Sequence, residues 1–386
     1  MSVFTQTPDF AFRNSQGWVL GNVTQWQHWP LAPDSLAALQ TTAAQWQAQF
    51  PEALIIGGIS YEQAALHHDF AYQAASGSPL VVMPGAFLGL VLPEQWQHAS
   101  ELPAPTVTTQ LRHAFTPHLT RTQFTQQLDT LIAQLRQAPE QQANLTQLFS
   151  ATFEQQEIDL WQAWLALMAQ HPAPHACYVN TNELALLSAS PELMLKANPQ
   201  QLQAEPIKGS RPRGRTAEED EALRQHLLNS TKDRAENRMI AALQAKELAP
   251  LCMPNSVAIT QACELRRYSN VQHLVSTVVG TPKAEISPLA ALIACMPGAS
   301  ITGTPKAWAM KAIAELEAEP RAFYCGSFFH LQGNELVANV LIRTVQAVGN
   351  QLLCHGGGGI TALSNSAEEY EESCFKVAPL FGVWER

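Results

Sequence analysis

Lys208 is the residue most able to do chemistry in the 386-residue chain, and it stands in Glu205–Gly214, EPIKGSRPRG. A glycine follows it, and Arg211 and Arg213 are close by with little acid to balance them. A free lysine ammonium has a pKa near 10.4 and does not attack carbon. Burial or neighbouring cations lower that value and expose the amine lone pair. The stretch is therefore either an exposed turn or a site where an anion docks and an amine attacks. Glu192, in SASPELML, is a candidate proton carrier for such an amine if the fold brings the two together.

Acidic pairs recur at helical spacing. Asp233 and Glu236 lie three apart in STKDRAENRMIAAL, and Glu369 and Glu372 do so in SAEEYEESCFKV, with Lys376 one further turn along. Such spacing puts each pair on one helix face. Two pairs together suit magnesium, which prefers hard oxygen ligands. Singly, each pair reads more simply as a solvated face. The glycines of HGGGGI, 355–360, end a strand and either form an anion-binding turn or allow a tight left-handed connection. Arg343 lies in NVLIRTV, read as a strand, where an unpaired buried guanidinium is too costly. Its fork suits a carboxylate of the protein or of a ligand. His273, in VQHLVSTVVG, is read on its own as a hydrogen-bonded core histidine.

The elements that must hold these residues are mixed. A capping box at Thr120 and Gln123 opens a helix with Phe124, Leu128, Leu131, Ile132 and Leu135 on one face. A second helix is expected around 155–170, with Ile158, Trp161, Leu165 and Met168 as its stripe. TPKAWAMKAIAELE reads as a helix capped by Thr304 with Pro305 at its first position. LVVMPGAFLGLVL, ELVANVLIRTVQAV and QLLCHGGGG read as strands, and the class is α+β with several antiparallel strands. The composition is 46% hydrophobic and 15% charged, which fits a filled globular core. A net charge of −10 argues against nucleic acid as a partner. No apolar run is long enough to span a membrane, and no secretory signal is recognisable. Seven cysteines without a CxxC pair fit reduced thiols and a cytoplasmic location.

Taken in order, SASPE, PIKGSRPRG, STKDRAEN, HLVS, PGASITGTPK, YCGS, LIRT, GGGI and EEYEESCFK resemble the chorismate-utilising enzymes, from about residue 116 to the C-terminus. Residues 1–115 match poorly and read as a divergent, shortened N-terminal part of the fold; 116–386 read as the chorismate-binding catalytic region. The resemblance implies two facing antiparallel sheets with helices packed outside and the active site in the cleft between them. Lysine at position 208, where anthranilate synthases carry alanine, is similar to the aminodeoxychorismate synthase branch. That branch makes 4-amino-4-deoxychorismate for para-aminobenzoate and folate biosynthesis, a transferase reaction.

For this chain the resemblance implies Lys208 as nucleophile on chorismate, Glu192 as general acid/base and His273 near the leaving hydroxyl. It implies Glu236 and Glu372 as magnesium ligands, with Asp233 and Glu369 on the ion's waters. Arg343, Lys376, Tyr324 and the backbone of Gly357, Gly358 and Gly359 would surround the enolpyruvyl carboxylate. Gln142, Ser210 and Thr302 would line the pocket. No glutaminase triad is recognisable, so ammonia would come from solution or from a glutamine amidotransferase subunit. Departures from the family pattern fall at Gln141, Ala242, Ala245, Lys246 and Leu363, which puts supporting polar contacts in doubt. Anthranilate synthase component I and a non-catalytic chorismate-binding paralogue are the competing expectations.

Overall fold

The computed structural model describes residues 7–68, 70, 83–107, 111–154, 158–181, 183–269 and 271–384. Among them the short apolar runs pair into two antiparallel sheets of ten strands each. The first runs β16 (Gly303–Thr304), β8 (Gln142–Thr152), β20 (Gln351–Ile360), β19 (Thr344–Val348), β10 (Ala185–Ser188), β9 (Cys177–Asn180), β1 (Phe10–Asn14), β2 (Gly17–Gly21) and β6 (Trp96–Ala99), with β7 (Thr116–Pro117) also on β8. The second runs β13 (Ile207–Pro212), β15 (Val271–Gly280), β12 (Leu202–Glu205), β11 (Leu193–Ala197), β18 (Glu335–Asn339), β17 (Ser327–Gln332), β4 (Leu54–Ile59), β5 (Ala86–Val91) and β3 (Gln25–Trp29), with β14 (Ala258–Arg267) also on β15. Strands from before residue 115 extend the far ends of both sheets, so that region shares the sheets of the rest.

The layer between the sheets is apolar: Phe10, Phe12, Val179 and Leu186 of the first meet Leu54, Ile56, Phe87 and Phe328 of the second. Each such side chain stabilises by roughly 1.5–3 kcal/mol when fully buried. The helices are α1 (Ser35–Gln49), α2 (Tyr61–Leu66), α3 (Arg121–Gln137), α4 (Leu160–Gln170), α5 (Ala217–Asn229), α6 (Thr231–Leu248), α7 (Pro288–Cys295), α8 (Ala299–Thr302), α9 (Lys306–Leu316) and α10 (Ser366–Phe381). Leu36 and Leu39 of α1 and Leu292 of α7 pack with Ile55 and Leu336 of the second sheet. Trp164 of α4 and Val377 and Leu380 of α10 pack with Tyr178 and Val345 of the first. The helices thus cover the outer faces, as expected.

The capping box of α3 forms, with the Gln123 backbone N–H donating to Thr120 Oγ1, and its five predicted apolar residues are buried. The helix expected at 155–170 is α4, which starts only after its cap Asp159, so Ile158 precedes the helix instead of joining its stripe; residues 155–157 lie outside those described. The apolar run at 80–92 yields β5, its first three residues also lying outside them.

Three expectations are corrected. The glycines 356–359 form no turn, because they continue β20 in unbroken register with β8. None of them has a positive φ. A Cβ at Gly356 would strike the Ser373 carbonyl of α10, so close helix approach, not backbone freedom, demands glycine there. Arg343 is not in a strand: ELVANVLIRTVQAV splits into β18 and β19, which belong to different sheets, and Arg343 sits in the crossover at φ 50°. Thr304 does not cap α9; it pairs with Gln142 across β16 and β8, and Pro305 occupies the cap position.

Arg321 joins the two halves. It is 1% exposed and pairs with Glu317 at 2.6 Å, while its NH groups donate to the carbonyls of Ile301 and Asn144. Glu317→Gln would leave this guanidinium without its counter-charge and is expected to lower unfolding free energy by about 3 kcal/mol. Urea unfolding measures this, and a change under about 1 kcal/mol would contradict it.

Candidate active site

Lys208 projects from an irregularity in β13. The register with β15 shifts between Ile207 and Ser210, and Gly209 takes φ 86°, a conformation other residues rarely adopt. A Cβ at Gly209 would also lie 2.8 Å from Asp233 Cβ. The bulge turns Lys208 toward the opposite sheet. A Cβ built on Gly359 of β20 would lie 3.2 Å from Lys208 Nζ and 3.2 Å from Asn144 Oδ1, and would strike Gln142 Nε2. The amine of the second sheet therefore meets β8 and β20 of the first where Gly359 leaves room. The site lies where the sheets converge.

Burial, with the charge of Lys376, pulls the Lys208 ammonium below its ordinary pKa; Glu236, Glu192 and Glu372 partly offset this. Burial acts oppositely on Glu192, 5% exposed, whose carboxyl is pushed up to about 7 despite the Ser300 hydroxyl, the Lys208 charge and the Ile207 N–H. His273 faces Ser210 across β13 and β15, and Ser210 Oγ and His273 Nδ1 share a hydrogen bond of 2.6 Å. Burial and then the Arg343 charge take this imidazole down to about 3, so it is neutral at pH 7. Its Nε2 has no partner among the described residues.

Burial also lowers Arg343, and among the described residues no carboxylate pairs with it. Arg343 lines a cavity with Lys376, His171 and Tyr268 against an apolar wall of Leu167, Val271 and Leu380. Such a cavity suits a carboxylate attached to an apolar body. Tyr324 is buried and stacked on His355 with centroids 5.0 Å apart, and Thr302 is fully buried at the end of α8. Among the described residues neither is hydrogen-bonded to another of the expected site residues.

The four acids come from two helices, Asp233 and Glu236 from α6 and Glu369 and Glu372 from α10. Each pair has cations of its own chain nearby. Asp233 pairs with Arg211 at 2.9 Å, Glu236 lies 4.0 Å from Lys232, and Glu372 Oε1 is 2.6 Å from Lys376 Nζ. Partial burial raises Glu369, and the Glu372 charge adds to it. For Glu372 burial is outweighed by Lys376, and the carboxyl is lowered. A Cβ at Gly358 would sit 3.3 Å from Glu372 Oε1 and 3.4 Å from both Glu369 Oε2 and Lys376 Nζ, so the bare backbone of β20 floors this group. Among the described residues no three His, Cys, Asp or Glu side chains stand close enough to ligate one ion. The donor type fits magnesium, and the charge-balancing cations stand in its way.

Sequence reading missed Asn144 and Ser300. The Asn144 amide donates to the Ser300 carbonyl at 3.1 Å, which leaves Oδ1 beside Lys208. The polar alternation Gln142, Asn144, Thr146 in β8 was the available signal. The departures at Ala242, Lys246 and Leu363 are all exposed, Leu363 at 94%.

Residues 18–382 match the family described as chorismate binding enzyme. Aminodeoxychorismate synthase component 1 of Klebsiella aerogenes is 37% identical over 284 residues, 73% of this chain and 62% of that protein. Its Bacillus subtilis counterpart is 32% identical over 291 residues, 74% of this chain and 61% of that protein. The chain thus spans about three-fifths of the length of these relatives. A Bacillus anthracis structure titled as a 2,3-dihydroxybenzoate-specific isochorismate synthase superimposes with a TM-score of 0.78 at 21% identity, covering 97% of this chain and 96% of that one. Anthranilate synthase component I from Streptococcus pneumoniae gives 0.74 at 21% identity, with 97% and 91% covered. Among the described residues no helix is long and apolar enough to cross a membrane.

The raised Glu192 pKa has a stability consequence. The folded state holds its proton up to about pH 7, whereas an unfolded glutamate loses it near 4.5, so this group's contribution falls as pH rises through that window. Glu192→Gln is therefore expected to stabilise the protein by roughly 1–3 kcal/mol at pH 8 relative to wild type, with little effect at pH 4.5. Denaturant titrations at both pH values measure it. An equal effect at both would refute the ionisation argument.

Proposed function

Since the chain belongs to the chorismate-binding enzyme family, we propose that it replaces the C4 hydroxyl of chorismate by an amine, giving 4-amino-4-deoxychorismate. The observation that carries this reading is Lys208, a half-buried amine held between the sheets with its pKa lowered, beside an acid whose pKa is raised. A free amine and a protonated carboxyl at one pH are what a substitution with a poor leaving group requires.

In this reading Lys208 Nζ forms a bond to C2 of chorismate. The ring double bonds shift, and the C4–O bond breaks. Glu192 delivers the proton that lets hydroxyl leave as water, while neutral His273, its ring set by Ser210, presents Nε2 to that oxygen. Ammonia then bonds to C4, the double bonds shift back, and the C2–N bond to Lys208 breaks with its electron pair on nitrogen, which restores the neutral amine. The new C4 ammonium carries the extra proton, and ionised Glu192 can take it and so regain its starting state. Arg343 would hold the enolpyruvyl carboxylate, with Lys376 lining the same cavity. Glu236 and Glu372 would hold magnesium, with Asp233 and Glu369 on its waters. When bound, the ion supplies positive charge against the ring carboxylate. The ammonia source in this reading is a separate glutamine amidotransferase subunit, in keeping with the "component 1" of the relatives' names.

The test gives chorismate, ammonium and magnesium to the purified chain and weighs the products, which separates amination at C4, anthranilate and no turnover. Lys208→Ala is expected to lose at least tenfold in C4 amination. Wild type held with chorismate but no ammonia should carry an adduct on Lys208 that disappears when ammonia is added. Wild-type amination by Lys208→Ala, with no adduct on the native protein, would reduce Lys208 to an electrostatic contact.

A further inference from the structure

We propose that Lys376 is a resident stand-in for the metal, displaced when magnesium binds and thereby freed to join Arg343 on the substrate carboxylate. This rests on the metal reading above. Lys376 is the residue common to two neighbouring places. Its Nζ lies 2.6 Å from Glu372 Oε1 and donates to the Gly357 carbonyl at 3.0 Å, so its charge sits on the acid group. The same side chain lines the cavity of Arg343, whose guanidinium has no carboxylate partner among the described residues.

The geometry over Gly358 makes the exchange necessary. Glu372 Oε1, Glu369 Oε2 and Lys376 Nζ all lie within 3.4 Å of one point above that glycine. A dication taking Glu372 as a ligand would face the ammonium at hydrogen-bond distance from the same oxygen, and like charges that close repel strongly. The lysine must leave. Its side chain is 42% exposed, so departure gives up two contacts and little burial. Once the metal neutralises Glu372, a carboxylate seated at Arg343 offers the lysine a counter-charge in the cavity that both residues line. Metal and substrate then favour each other, and the coupling is reciprocal. An exposed ion pair of this kind is worth about a two- to fivefold competition, which sets the scale of the effect.

Manganese, which suits the same carboxylate and water ligands, is the probe, and electron paramagnetic resonance of the free ion reads its binding without any turnover. Lys376→Met should bind manganese about two- to fivefold more tightly than wild type in the absence of chorismate, and Lys376→Arg should stay near wild type. Adding chorismate without ammonia should tighten manganese binding in wild type and do so less in Lys376→Met. Equal or weaker binding by Lys376→Met overturns the exchange and leaves the metal site standing. Absence of manganese binding in wild type overturns both. Arg should preserve the competition and Met abolish it, a contrast that loss of packing alone would not produce.

Discussion

The pairing of Arg321 with Glu317, sealed from water at the join of the sheets, is the interaction on which the site depends. Glu317 takes two NH groups of the guanidinium and also accepts from the backbone and hydroxyl of Thr146. Two more guanidinium donors go to the carbonyls of Ile301 and Asn144, and the Arg321 backbone N–H donates to Glu62. One ion pair thus ties β8, the short helix bearing Ser300 and Thr302, and α2. Buried ion pairs contribute little net stability against apolar replacements, but they specify geometry when every polar atom is satisfied. What this one specifies is the wall on which Gln142 and Asn144 face Lys208.

Opposite that wall the same physical cause has opposite consequences for two neighbours. Removal from water disfavours charge, so it lowers the amine of Lys208 and raises the carboxyl of Glu192. Their mutual attraction acts against both shifts but does not cancel them. Both shifts move the uncharged form of each group toward neutral pH, the direction that the proposed substitution requires.

The fold is shared with proteins titled as isochorismate synthase and anthranilate synthase, at about a fifth sequence identity. Two facing antiparallel sheets therefore do not select a reaction by themselves. In the proposed function, selection rests on which groups stand near Gly359 and Glu192. Lysine at 208 adds an amine that an alanine there would lack. The exposed departures at Ala242, Lys246 and Leu363 leave that gap untouched.

Much of this was legible in the chain itself. Helical spacing determined that Asp233 with Glu236, and Glu369 with Glu372, share faces, because an α-helix repeats every 3.6 residues whatever surrounds it. The capping box at Thr120 and the apolar stripe of α3 were determined equally locally. The order of the motifs carried Lys208, Glu192 and the family. Tertiary structure alone decided the rest. The glycine run reads locally as a turn and is a strand, because α10 packs too close for any Cβ at Gly356. Arg343 reads as part of one strand and is a crossover between sheets, since which sheet a strand joins is set by partners far along the chain. Ser300 and Arg321 carry no local sign of function and Asn144 only a polar alternation along β8; they matter because residues more than 150 positions apart are brought within hydrogen-bond distance. Burial, which lowers the pKa of Lys208 and raises that of Glu192, is likewise a property of the packed whole, and no stretch of sequence holds it.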